Sequence, residues 1–342
     1  MAVQMQSWNH ALIGVSRCFL QASAMIPMLS TPKSTVLISG ETGTGKELFA
    51  RAIHYCGDRR SKPFVPVNCA ALPDHLIENE LFGHSKGAFT GAWVEKPGLL
   101  DEANGGTLLL DEINSLSLAV QSKLLRLLQD HEFRPLGSTK SKTVDVKIVA
   151  ATNADLRALV EAHQFREDLF YRLNVLSVVL PPLRERKEDI LLLANHFLKI
   201  YAKEFCKDGF TIGQSAKAKL IKYAWPGNVR ELQSVIQRAV AMGVGNMLEA
   251  QDFDLPKTEK PEFMVPTIAP ASRGGDYSFK TMKTKVIDEF ERTYLSELLS
   301  THQGNISQAA RAAKKERRAF QRLLHKHGLD RQRYSQARAV SA

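Results

Sequence analysis

The residues most clearly spaced for chemistry are Gly40-Glu41-Thr42-Gly43-Thr44-Gly45-Lys46, followed by Glu47. They read G-x-x-x-x-G-K between a β-branched run and a helix-forming one, the order of a phosphate-binding loop. Glycines let the backbone wrap phosphate oxygens with its N–H groups. The following helix offers its positive N-terminal end, and Lys46 reaches the outer phosphates. A Gly-rich strand-to-helix turn is the plainer alternative, and the Lys at this place counts against it. Position 47 usually carries Ser or Thr, whose hydroxyl binds Mg²⁺. Glu47 leaves two readings: Mg²⁺ held mainly by other groups and water, or a subclass with this substitution.

A second run, Thr107-Leu108-Leu109-Leu110, ends in Asp111-Glu112. Asp111 would hold Mg²⁺ through water and Glu112 would polarise the attacking water. Paired acids after a strand are common in loops. Coming about 60 residues after a phosphate loop, they point to ATP hydrolysis. A third run ends in Thr152-Asn153, a polar pair that can touch the γ-phosphate or its water, or cap a turn.

Elements must bring these segments together. Thr35–Ser39, Phe64–Asn68, Thr107–Asp111, Val146–Thr152 and Val175–Leu180 read as buried parallel strands alternating with helices, an α/β layered sheet. After Pro181-Pro182 the spacing turns helical (Ile190, Leu193, Ala194, Phe197, Leu198) with no strand signal, which predicts a small all-α domain. A stretch with four prolines and Gly274-Gly275 reads as a linker. The expected layout is an α/β core over 1–183, a helical subdomain over 184–254, a linker over 255–278 and a helical domain over 279–342. There is no internal repeat or low-complexity tract.

Charge is uneven. Residues 277–342 carry 14 Lys and Arg against 6 Asp and Glu, so +8 of the net +10 lies there. A basic tail domain on a near-neutral body suits a polyanion partner, or is a solvated basic tail. No apolar run approaches the about 18 residues a membrane helix needs, and MAVQMQSWNH lacks the pattern of a signal peptide. Cys18, Cys56, Cys69 and Cys206 are scattered and read as reduced thiols, which predicts a cytoplasmic protein.

Gly87-Ala88-Phe89-Thr90-Gly91-Ala92 spells GAFTGA, preceded by Glu80-Leu81-Phe82-Gly83-His84. Small residues flank a Phe-Thr tip, and the glycines allow tight turns. An aromatic held out at a tip marks a contact surface, a core turn being the alternative. Together with GETGTGKE, TLLLDE, FREDLFYRLNV, LPPLRER and WPGNVREL, it resembles the central AAA+ domain of the bacterial enhancer-binding proteins, the activators of RNA polymerase carrying sigma-54. The similarity covers roughly Leu12 to Phe253. Glu after the loop Lys is usual in that family.

The resemblance implies a P-loop domain with a five-stranded parallel sheet, a helical lid, ATP and Mg²⁺ as cofactors, and a ring, commonly a hexamer, with ATP sites between subunits. Lys46, Asp111 and Glu112 match its Walker motifs. Asn68 matches the residue that restrains the catalytic Glu and senses the γ-phosphate, Thr152 and Asn153 fall at sensor I, and Arg230 matches sensor II. Arg166 and Arg172 match the pair proposed as trans-acting arginine fingers; a surface ion pair with Glu167 or Asp168 is the plainer reading. Gly87 to Ala92 would contact sigma-54.

Near the C-terminus, Gly304-Asn305-Ile306-Ser307-Gln308-Ala309-Ala310 opens a helix with a small apolar face. Phe320, Leu323 and Leu324 give the next helix its apolar stripe, with Arg317, Arg318, Gln321, Arg322 and Lys326 largely on the other side. This predicts a helix-turn-helix with a basic helix for the major groove of enhancer DNA. It resembles the Fis-type module of the family, except that Lys314-Lys315-Glu316 replaces the usual Gly-hydrophobe-Ser turn. A basic helical hairpin for protein contact is the alternative. A preceding helix, Thr284 to Leu299, would supply a dimer contact.

Family similarity starts near Leu12, so no sensory domain is expected ahead of it in this sequence, whether it is absent by nature or belongs to a longer protein of which this is a part. The layout resembles the regulator-free phage-shock activator. Control would come from a negative regulator in trans, from expression level, or from neither. Two other classes compete. A DNA-binding repressor that kept an ATPase fold is opposed by the intact Lys46, Asp111, Glu112 and Arg pair. A general AAA+ unfoldase or helicase loader is opposed by GAFTGA.

Overall fold

The computed structural model describes residues 12–30, 35–207, 209–243 and 245–255, and further along 287–288, 291–292, 294–296, 298–300, 302, 304–313 and 315–329. All but Leu255 of the expected linker lies outside them, as do Lys314 and the first residues of the helix expected from Thr284. The chain divides into two compact units, Met1–Thr258 and Glu259–Ala342.

In the first unit the expected runs become β1 (Val36–Ser39), β2 (Phe64–Asn68) and β3 (Thr107–Asp111). Two-residue strands β4 (Glu132–Phe133) and β5 (Lys142–Thr143) follow, then β6 (Lys147–Thr152) and β7 (Leu176–Val179). Five of them form one parallel sheet ordered β2-β3-β6-β1-β7. β6 is buried along its whole length, as a central strand covered on both faces must be. Alternation sorts the side chains into two cores. Leu108, Leu110, Ile148 and Ala150 face one layer with Phe82, Leu124 and Phe170. Leu109, Val149 and Ala151 face the other with Phe49 and Ile53 of the helix Lys46–Cys56.

The register aligns the carboxyl ends. Asn68 pairs with Asp111, and Thr152 with Ser39. One edge of the sheet therefore collects the loop after β1, the acids after β3 and the polar pair after β6. Ligands of open α/β sheets bind at this edge.

The antiparallel β4–β5 hairpin was not among the expected strands. Its connection reaches back to the GAFTGA segment: His84 bridges to both Lys96 and Leu136.

The lid is built from helices Lys187–Glu204, Gln214–Lys222 and Asn228–Met242. They enclose their own core of Leu193, Trp225, Leu232, Ile236 and Phe253. It is not purely helical: β8 (Thr211–Ile212) pairs in parallel with β9 (Met247–Leu248). Two-residue strands are too short to show an alternating pattern. No helix among the described residues is long and apolar enough to cross a membrane.

In the second unit, helices Ile306–Ala312 and Arg317–Lys326 pack Ala309, Ala310, Phe320 and Leu324 against Leu295 and Leu299. Asn305 caps the first helix, its Oδ1 accepting from the N–H groups of Ser307 and Gln308 at 3.1 and 3.3 Å.

Candidate active site

The loop Gly40–Lys46 leaves β1 and enters the helix Lys46–Cys56. Gly43 and Gly45 hold φ of +82° and +98°, which L side chains rarely adopt. The N–H groups of Gly43, Gly45 and Lys46 meet no acceptor among the described residues. They form a ready cradle for phosphate oxygens at a helix N-terminus. Lys46 is buried, and its Nζ donates to the carbonyls of Gly40 (2.9 Å) and Glu41 (3.3 Å). Burial pushes its ammonium below the usual lysine value, against the opposing pull of Glu112 and Asp111. Glu47 pairs with Arg51 one turn along the helix at 2.8 Å.

Asp111 ends β3, and Glu112 follows with φ of +54°. Glu112 lies near enough to Lys46 for each charge to act on the other. Burial raises its carboxyl above the ordinary range, while Lys46 holds it down and the nearby Asp111 raises it further. Such a carboxylate is a better proton acceptor than an exposed one. The hard oxygens of Asp111 and Glu112 beside Lys46 fit Mg²⁺. Asn153 donates its Nδ2 to Thr42 Oγ1 at 3.0 Å, and its backbone eases the Glu112 carboxyl slightly back down. Thr152 donates to Asn114 Oδ1 at 2.9 Å.

The lid closes on the loop through contacts the sequence did not reveal. Val229 and Arg230 donate their backbone N–H groups to Gly43 O at 3.0 and 3.3 Å. Asn228 Nδ2 donates to Glu41 Oε2 (3.1 Å) and Thr42 O (3.0 Å), and its Oδ1 accepts from Leu183 N at 2.7 Å. Arg184 grips Glu41 with both guanidinium NH2 groups at 2.7 and 2.6 Å. Arg184 first, then Asn228, hold the Glu41 carboxyl down to about 2. This seam places Arg230 where its charge is felt at both Lys46 and Glu112. The only linear hint of Asn228 is its place two positions before Arg230 in WPGNVREL.

Other expected residues make their bonds elsewhere, although Asn68 lies opposite Asp111 in the sheet. Asn68 Oδ1 accepts from Ala70 N at 2.9 Å, a local turn rather than a bond to Glu112. Arg166 forms a two-pronged pair with Asp168 at 3.0 and 2.7 Å and donates to Ser122 Oγ. Arg172 donates to Leu128 O at 3.1 and 2.9 Å, capping the helix Leu118–Asp130. Residues 87–92 form a turn closed by Gly87 N to Ala92 O at 2.8 Å. Phe89 is half exposed and tilts 5.0 Å from the His84 ring. In the second unit Arg317, Arg318, Gln321 and Arg322 are exposed. Lys326 is also exposed but bonds Asp288 (2.8 Å) and Glu291 (3.0 Å).

A phosphate cradle after β1, paired acids after β3 and a helical lid on the loop define an AAA+ ATPase. The profile of the Sigma-54 interaction domain matches residues 12–179, and that of the AAA+ ATPase lid domain matches 184–262. The regulatory protein AtoC of Escherichia coli (strain K12) is 45% identical over 323 residues, 94% of this chain and 68% of AtoC. GlrR, a transcriptional regulatory protein of the same strain, is 41% identical over 325 residues, 95% of this chain and 70% of GlrR. NtrX from Brucella abortus in complex with ADP matches with a TM-score of 0.67 and 34% identity, over 93% of this chain and 69% of the NtrX chain. The chain belongs to the sigma-54-dependent transcription activators. It is an ATPase, with ATP and Mg²⁺ as its cofactors, and sigma-54 is its partner.

Proposed function

We propose that this chain binds enhancer DNA and, as a ring of six cytoplasmic subunits, spends ATP to remodel the sigma-54 holoenzyme for open complex formation. Residues 1–183 serve as the ATPase core, 184–254 as lid, 255–278 as linker and 279–342 as DNA-binding module. The observation that carries the reading is the phosphate loop with Lys46 bonded to Gly40 O and the lid tied on through Val229 and Arg230 N to Gly43 O, while the uncharged Gly87–Ala92 turn bonds only near itself.

Lys46 and the loop N–H groups hold the phosphates, and Asp111 holds Mg²⁺, which neutralises phosphate charge. Glu112, kept basic by burial, orients the attacking water and takes its proton. Thr42, Thr152 and Asn153 line the γ-phosphate side, and Arg230 reports the nucleotide to the lid. Asn68 exchanges its local Ala70 bond for Glu112 when the γ-phosphate is present. Arg166 and Arg172, bonded within their own subunit here, reach the neighbouring subunit's nucleotide. Gly87, Ala88, Phe89, Thr90, Gly91 and Ala92 present the contact to sigma-54. Arg317, Arg318, Gln321 and Arg322 face DNA, and Lys326 adds a weaker, already paired charge.

In vitro transcription from a sigma-54 promoter tests this directly. Open complexes should form with ATP and not with a non-hydrolysable analogue. Thr90→Ala should release phosphate normally and yield no transcript. Transcript from Thr90→Ala, or none from the wild type, refutes the reading.

A further inference from the structure

We propose that Trp93 and Val94, just beyond the Gly87–Ala92 turn, form an apolar shoulder that an uncharged segment of sigma-54 covers. This rests on the reading that the turn meets sigma-54, and it extends that contact to two residues the turn itself does not include.

Trp93 is the most exposed large apolar side chain among the described residues at 81%, and Val94 stands at 74%. The chain's own core treats tryptophan differently: Trp225 is fully buried and donates its Nε1 to Leu220 O. A Trp and a Val exposed at successive positions, with Phe89 close by in the chain, leave apolar area in water that a partner would cover. Their place is fixed rather than frayed. Trp93 N donates to Gly91 O at 2.9 Å, which ties the shoulder to the turn. Behind it, His84 and Lys96 exchange backbone bonds at 3.0 Å, and Lys96 pairs with Glu80 at 2.7 Å. With Phe89 half exposed in the same segment, three large apolar groups project within six residues.

Charge selects the occupant. From Gly87 to Val94 there is no charged residue; Lys86 and Glu95 bracket the stretch. Nucleic acid would call for Lys or Arg at the contact, so DNA is a poor fit. The shoulder is continuous with the turn, and both lie inside the matched Sigma-54 interaction domain. A buried Trp at the centre of an interface is the commonest kind of energetic anchor, and full cover would remove roughly 150–250 Å² of it from water.

The test uses the full-length chain, sigma-54 and ADP–aluminium fluoride, with hydroxyl-radical footprinting read by mass spectrometry. Trp93 oxidation should fall at least about fivefold only when both nucleotide analogue and sigma-54 are present. Trp93→Ala should weaken capture of sigma-54 by about tenfold or more, with phosphate release within about twofold of wild type. Val94→Ser, a smaller change, should weaken capture less. If the wild type is trapped and Thr90→Ala is not, yet Trp93→Ala is trapped normally, the shoulder is refuted and the turn reading stands. Protection by the nucleotide analogue alone assigns the shoulder to a second copy of this chain and overturns the proposal. If the wild type is never trapped, the turn reading falls and the shoulder with it.

Discussion

Replacing Gly43 by Ala strikes the seam between the phosphate loop and the lid. Gly43 holds φ of +82°, which costs a residue with a Cβ roughly 1–2 kcal/mol. The new Cβ would stand 2.3 Å from the Gly227 carbonyl oxygen, a backbone atom that cannot swing aside. Relief moves the lid turn and breaks the bonds from Val229 N and Arg230 N to Gly43 O, now 3.0 and 3.3 Å. Each is worth about 1 kcal/mol, so the whole loss is about 3–4 kcal/mol. Gly45→Ala is the matched control. Its φ is +98° and nothing lies within 4 Å of its Cβ, so only backbone strain remains, about 1–2 kcal/mol.

Urea unfolding of both full-length variants without nucleotide separates strain from collision. Gly43→Ala should be the less stable by about 2 kcal/mol. Its phosphate release should fall at least about tenfold, because the displaced turn carries Arg230. Equal unfolding midpoints for the two variants would refute the seam as the tie between loop and lid.

Three further outcomes follow from the site. Lys46→Ala should weaken ATP binding in equilibrium titration, whereas Glu112→Ala should bind ATP and lose roughly 10²–10⁴ in turnover; normal turnover sinks the assignment of Glu112. Because burial raises the Glu112 carboxyl, it takes up its proton at higher pH than an exposed carboxylate, so turnover should fall early on the acid side; a profile flat through that limb contradicts a basic Glu112. Arg172→Ala and Glu112→Ala subunits, each nearly inactive, should recover phosphate release in mixed rings, and no recovery in confirmed mixed rings excludes fingers acting in trans. On DNA, Arg322→Ala should lower the salt slope of binding by about 1, while Lys326→Ala should hardly change it, since Asp288 and Glu291 already occupy that ammonium.

The sequence by itself determined what is local. Gly40–Lys46 declares its cradle because the same few residues supply the positive-φ glycines, the free N–H groups and the lysine. The five sheet strands were legible to within a residue or two because buried parallel strands need continuous apolar runs. Asp111-Glu112 was legible for its place at the end of such a run.

Tertiary structure alone decided what depends on distant partners. Nothing in Glu41 or Arg184 taken singly says that they grip each other across 143 positions, or that Asn228 joins them from the lid. The β4–β5 hairpin escaped notice because two-residue strands carry no periodicity, yet its connection braces the base of the GAFTGA segment through His84. Asn68, Arg166 and Arg172 carry the right chemistry in the right motifs, but their side chains bond Ala70, Asp168 and Leu128. Side-chain direction follows from which neighbour offers the nearest satisfied bond, and that neighbour is chosen by the fold. The free-standing Trp93 shows the same limit: its exposure, and hence its availability to a partner, is a property of packing that an apolar letter in the sequence does not contain.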